Sequence, residues 1–305
     1  MNNAIEIRDL TKTYGARRGL AGLTLDVREG EVFGYLGPNG AGKSTTIRLL
    51  LDLIRPTSGS ATVFGLDPRR DGVTLRHRIG YLAGDFVVDG QQRVGECLRF
   101  LAALRGGVPR QRIDELAERL ELDQSARIKS LSKGNRQKVG LVQAFMHTPE
   151  LLILDEPTSG LDPLLQQTFL ELVSEAAAGG QTVFMSSHIM DEVEAVADRV
   201  GILRDGRLVA LDTIADLRAG ALRRIEIGFA AAVTVAEFVG LPGVADAEVD
   251  ETGKTLRASL TGAPDALVKA AARHTVTALR TTEPHLDEIF HSQYAGTDSL
   301  PRPAA

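Results

Sequence analysis

Residues 37–45 read GPNGAGKST, a run whose residue types could cradle and neutralise a chain of phosphates. Gly37, Gly40 and Gly42 let the backbone curl until successive amide N–H groups converge on one concavity, with Pro38, Asn39 and Ala41 completing the loop. A helix opening near Lys43 would set its positive end behind that concavity. Lys43 would reach β- and γ-phosphates, and the Ser44 hydroxyl, followed by Thr45, would hold Mg2+. The spacing fits the phosphate-binding pattern G-x-x-x-x-G-K-[ST], and the residues imply a bound nucleoside triphosphate.

A second group could supply the reaction. Asp155 and Glu156 end the apolar run Leu151–Leu154, at the strand end where doubly wound sheets bind ligands. Asp155 offers hard oxygen donors to Mg2+, and Glu156 could polarise a water attacking the γ-phosphate.

These groups need a rigid frame. An apolar run at Glu31–Leu36 leads into the loop, and a helix-like run at Thr46–Ile54 leaves it. Ile5–Tyr14 and Leu23–Val27 alternate partially, as half-buried strands do. Ala61–Phe64, Ile79–Leu82, Leu151–Leu154, Thr182–Ser186 and Val200–Leu203 read as further strands, with helices over Leu164–Ala178 and Ile189–Ala197. Short apolar strands alternating with helices imply an α/β fold with a parallel sheet covered on both faces. Residues from about 86 change character, with helical spacing in Val94–Arg105 and Pro109–Leu120, and read as a helical insertion reaching to about residue 145. Arg204–Arg207 carries a hairpin signal. From Arg223 the order becomes strand, helix (Val233–Val239), strand (Val244–Asp250), strand (Thr255–Leu260), helix (Pro264–His274), strand (Val276–Thr281), a split β-α-β order that suggests a small ferredoxin-like domain. A last helix is expected over Pro284–Tyr294. The expected division is therefore 1–219, 220–294 and a disordered tail, 295–305.

Composition excludes several classes. The 305 residues carry a net charge of −5, which gives no electrostatic reason to expect nucleic acid as a partner. The lone cysteine, Cys97, cannot form an intrachain disulfide and suits a reducing cytosol. No apolar stretch approaches the ~20 residues that cross a bilayer, and the start MNNAIEIRDL is not that of a signal peptide.

Leu131–Gln137 reads LSKGNRQ at the mouth of an expected helix, ahead of the Asp155–Glu156 strand. Here the chain resembles the ABC-transporter ATPases over roughly Ile5–Leu217. The resemblance implies the P-loop NTPase fold of ABC ATPase type, with a mixed sheet core, an antiparallel β subdomain and the helical insertion. It implies that Ser132, Lys133, Gly134 and Asn135 close over the γ-phosphate held by a second copy. It assigns Ser159–Asp162 to the loop that crosses the dimer interface, His188 to the γ-phosphate contact and Tyr14 to stacking on adenine. The implied cofactors are ATP and Mg2+. The implied partners are a second copy, as a homodimer, and a separate integral-membrane permease, which would place the chain at the cytoplasmic side of the membrane.

The chain departs from that family's pattern in two places. A glutamine usually follows the strand corresponding to Ile79–Leu82. Here Gly84 stands at that position with Asp85 next, and Asp85 or a water is expected to take over its Mg2+ contact. The signature reads LSKGN rather than LSGGQ. Both departures, and Glu283–Phe290 (EPHLDEIF), are similar to the ABC-2 drug- and antibiotic-efflux subgroup. The expected function is therefore ATP hydrolysis powering export of a drug, antibiotic or lipid-like substrate. An importer ATPase with a regulatory C-terminal domain, or a non-transport ABC ATPase, is the alternative.

Overall fold

The computed structural model describes residues 2–15, 17–88, 90–219 and 223–282. They fall into two units, up to Asp212 and from Thr213, a boundary earlier than the expected residue 219.

In the first unit, β1 (Asn3–Tyr14), β2 (Arg17–Arg28) and β3 (Val32–Leu36) precede α1 (Lys43–Leu50), β4 (Ser58–Val63), α2 (Gly72–Arg78) and β5 (Ile79–Leu82). Three helices follow, α3 (Val94–Leu104), α4 (Arg110–Arg119) and α5 (Lys133–Phe145). They form the insertion, with no strand between β5 and β6 (Leu151–Asp155) among the described residues. Then come α6 (Pro163–Ala178), β7 (Thr182–Ser187), α7 (Met190–Val196), β8 (Arg199–Arg204) and β9 (Arg207–Thr213).

One sheet runs in the order β5-β6-β7-β3-β8-β9, and a second, antiparallel one in the order β2-β1-β4. Strands β3, β6 and β7 are buried at every residue, as parallel strands covered on both faces must be. Their pairing is parallel, with Asp155 beside Ser186 and Leu36 beside Ser187. All three strands thus end at one edge of the sheet, where the phosphate loop, the two carboxylates and His188 emerge. Phe33 stacks on Phe184 with ring centroids 5.7 Å apart, and Tyr35 packs on Phe184 at 5.1 Å. The Tyr35 hydroxyl meets Thr46 Oγ1 at 3.0 Å, fastening α1 to the sheet beneath the loop.

A half-buried histidine links the insertion to this sheet. His147 follows α5, and its Nε2 lies 3.3 Å from the Ile79 carbonyl of β5. Burial pushes its pKa from 6.5 down to about 4, aided by the Arg105 charge and opposed by the Ile79 carbonyl. Above pH about 6.5 the imidazole is neutral in both folded and unfolded chains, and its contribution is complete. Between that value and about 4 only the unfolded chain takes up the proton, so stability falls as pH falls. Allowing for partial exposure, the loss amounts to about 1–3 kcal/mol. Urea denaturation from pH 7 to pH 4 should therefore show a slope that His147→Gln flattens, and an unchanged slope would refute it.

In the second unit, α8 (Ile214–Ala219) precedes β10 (Arg223–Phe229), β11 (Val244–Val249), β12 (Thr255–Leu260), α9 (Asp265–Ala271) and β13 (Val276–Thr282). The strand order is β11-β12-β10-β13 and the pairings are antiparallel, the split β-α-β arrangement expected. Ile225, Ile227, Phe229, Phe238, Leu256, Leu260 and Leu267 form its own core. One expected helix is corrected: Val233–Val239 contains only a 3-10 turn at Val235–Glu237. Three consecutive β-branched residues, Val233, Thr234 and Val235, oppose a helix there. The Val233 amide instead donates to the Gly253 carbonyl at 2.8 Å. The helix expected over Pro284–Tyr294, the EPHLDEIF motif and the tail 295–305 lie outside the described residues.

Candidate functional site

Strand β3 delivers the chain to the phosphate loop, where Gly37, Gly40 and Gly42 have φ of 156°, 83° and 115°. Side chains rarely tolerate these angles, and they turn the loop amides inward ahead of α1. The loop borders a cleft of about 420 Å3 that brings together Tyr14, Pro38, Asn39, Gly40, Gly42, Lys43, Ser44, Thr45 and Glu156. Gly19 and Arg48 line it too and were not anticipated. Arg48 could have been found, since it lies four residues after Ser44 on the same face of α1. Gly19 carries no such signal: a Cβ there would lie 2.9 Å from the Tyr14 ring, so its small size makes room for the aromatic. Tyr14 itself is 45% exposed, as a stacking platform requires.

At the floor of this cleft Lys43 is 5% exposed. Its Nζ donates to the Gly37 carbonyl at 2.5 Å and lies 3.0 Å from Glu156 Oε1. The other carboxylate oxygen, Oε2, meets His188 Nδ1 at 2.6 Å. Glu156 is thus held between a buried cation and an imidazole that is half exposed. Its backbone adopts φ 49°, in the left-handed region, with its amide 3.2 Å from both the carbonyl and the Oγ of Ser186. Ser186 Oγ also donates to Asp155 Oδ1 at 2.6 Å. Burial raises the pKa of Tyr81, and the buried Asp155 nearby adds to the rise.

The signature residues stand elsewhere. Ser132 caps α5, its Oγ accepting from the Asn135 amide at 3.2 Å. Lys133 Nζ donates to Ser159 Oγ at 3.2 Å, and a Cβ on Gly134 would lie 2.5 Å from the Gly160 carbonyl. Asp162 caps α6, accepting from the Leu164 and Leu165 amides at 3.1 Å. None of Ser132–Asn135 or Asp162 lines the cleft that holds Lys43. Gln137, 2% exposed, was not anticipated. Its Nε2 donates to the Glu156 carbonyl at 3.2 Å and the Pro157 carbonyl at 2.9 Å, binding α5 to the turn after the carboxylates.

Gly84 lies against Asp155, a Cβ there falling 3.3 Å from its carboxyl. Asp85 is exposed, and among the described residues no hydrogen bond or ion pair joins it to the cleft. The Asp155 carboxyl and the Ser44 hydroxyl are hard oxygen donors, a chemistry that suits a cation such as Mg2+.

The family model described as ABC transporter matches residues 20–159. The daunorubicin resistance ATP-binding protein DrrA3 of Streptomyces coeruleorubidus is 35% identical over 303 residues, covering 95% of each chain. The chain belongs to the ABC-transporter ATPase family. The chain is also 39% identical to the probable multidrug ABC transporter ATP-binding protein YbhF of Escherichia coli K12, over 70% of its own length. It spans only 38% of that relative. A solved structure titled as the ATP-binding subunit of an ABC transporter superposes with a TM-score of 0.66 at 34% identity, covering 70% of this chain and 92% of that one. The DrrA3 match extends through the second unit as well, while the YbhF match has the length of the cassette unit alone.

Proposed function

We propose that the chain binds and hydrolyses ATP as the motor subunit of an exporter whose membrane permease is a separate polypeptide. The Lys43–Glu156–His188 cluster in the phosphate cleft carries this reading. Glu156 accepts a proton from the attacking water, His188 holds that carboxylate in place, and Lys43 exchanges Glu156 Oε1 for phosphate oxygens. Ser44 and Asp155 would hold Mg2+, which when bound neutralises charge on the β- and γ-phosphates. Asp85 is a further donor toward it in this reading. Tyr14 offers its face to the adenine.

The position of Ser132–Asn135 away from the cleft supports a composite site. Each copy supplies the loop that its partner's γ-phosphate needs, and two copies clasp two ATP molecules with two-fold symmetry. ATP, touching both copies, favours the closed dimer, and hydrolysis removes that preference. The chain works at the cytoplasmic side of the membrane, gripping the permease through its helical insertion. Relatives named for multidrug transport and daunorubicin resistance support drug-like cargo. No helix of the described residues is long and apolar enough to cross a membrane.

Ser132→Arg tests the composite site. The exposed arginine should block closure, abolishing the ATP-dependent dimer in gel filtration while each monomer still binds ATP. A dimer that survives the substitution would refute the arrangement.

A further inference from the structure

Glu192, in the first turn of α7, is 6% exposed and takes no part in the chemistry described above. Its Oε2 accepts from Ser187 Oγ at 3.1 Å, and Thr158 is its other polar neighbour. Oε1 is buried without a hydrogen-bond partner. Burial pushes the carboxyl's pKa up, opposed by the Thr158 and Ser187 hydroxyls, while the Glu156 charge adds to the rise and His188 works against it. A buried, incompletely paired carboxyl is destabilising, so its presence calls for a benefit elsewhere.

The chain neighbours of its two partners show what that benefit is. Ser187, 1% exposed, immediately precedes His188, and Thr158, 5% exposed, lies two residues after Glu156. Ser187 Oγ also accepts from the Ile189 amide at 2.9 Å, so the hydroxyl that Glu192 holds folds the turn carrying His188. One buried carboxyl therefore bonds the turn that bears His188 and lies beside the turn that bears Glu156, the pair that meets at 2.6 Å between His188 Nδ1 and Glu156 Oε2. Those turns leave neighbouring strands, β7 and β6, whose backbones alone do not set where the side chains beyond their ends converge.

We propose that Glu192 is a positioning residue for ATP hydrolysis, its carboxyl fastening the Ser187 turn to the Thr158 turn and so fixing the distance between Glu156 and His188. The inference rests on the reading that Glu156 and His188 carry the hydrolysis. Misplacement of a reacting group by about 1 Å lowers rate on the order of 10²-fold, which sets the scale of the effect.

The test measures kcat and KM for ATP, with thermal midpoints, for Glu192→Ala and Glu192→Gln, alone and combined with His188→Ala. Glu192→Ala should lower kcat on the order of 10–10²-fold with KM for ATP little changed, since the phosphate loop is untouched. Glu192→Gln, which keeps an oxygen acceptor for Ser187, should recover most of that rate. In the His188→Ala background Glu192→Ala should add little, because the pair it positions is already broken. Full additivity in that background, a normal kcat in folded Glu192→Ala, or an equal loss with Gln would overturn the inference. Ser187→Ala removes the same link from its other end, so it replaces Glu192→Ala if that variant does not fold, with the same expected coupling to His188. Glu156→Gln separates the two failures. If it hydrolyses normally, the reading of the site is wrong. If it is inactive while Glu192→Ala is normal, only the positioning role falls.

Discussion

Glu156→Gln slows ATP hydrolysis on the order of 10²–10⁴-fold, the range for a positioned general base, and leaves an ATP-loaded dimer stable in gel filtration. The amide keeps the shape of the side chain and a contact to His188, but it cannot take a proton from water. It also loses the ion pair in which Lys43 Nζ lies 3.0 Å from Oε1. Lys43 is then free for phosphate, and ATP should bind at least as tightly as to the unaltered chain. Turnover and affinity thus move apart, a pattern that general unfolding cannot produce. Phosphate release at the normal rate, or a variant that stays monomeric with ATP, would show that Glu156 has another role.

Lys43→Ala is expected to remove measurable turnover and to weaken ATP binding on the order of 10–10²-fold, the scale of a lost charged hydrogen bond. Two effects add in the same direction. The phosphates lose the cation that the loop amides cannot replace, and the Glu156 carboxylate loses its buried partner. Equilibrium nucleotide binding and phosphate release measure both, and undiminished hydrolysis would reject the phosphate-loop assignment. Because both substitutions remove the same ion pair, combining Lys43→Ala with Glu156→Gln should cost less stability than the sum of the two.

The phosphate loop, its flanking strand and α1 were legible in the amino-acid order because their geometry is local: glycines at φ beyond the reach of other residues, then a helix start. Asp155 and Glu156 were legible for a related reason, an apolar strand with carboxylates at the end where ligands collect. Gln137 and Glu192 were not. Each sits on a helix whose spacing shows only which face is buried; Gln137 meets carbonyls on a distant turn, and Glu192 meets the hydroxyl of the turn that precedes its own helix. The separation of Ser132–Asn135 from Lys43 is a tertiary fact, and only the family resemblance anticipated it. In the second unit the strands read true because their alternation matches the pleat, whereas the 233–239 segment has apolar spacing without helix-forming residues. There backbone bonding to the Gly253 turn prevails over periodicity.

The left-handed backbone of Glu156 has a consequence for how this cassette can change. A non-glycine residue at φ 49° carries about 1–2 kcal/mol of strain. Glycine at 156 would release it and tighten the turn, yet delete the group on which turnover depends. Heat resistance and motor output therefore pull this one position in opposite directions, and a lineage selected only for hardiness would drift toward a rugged, idle protein.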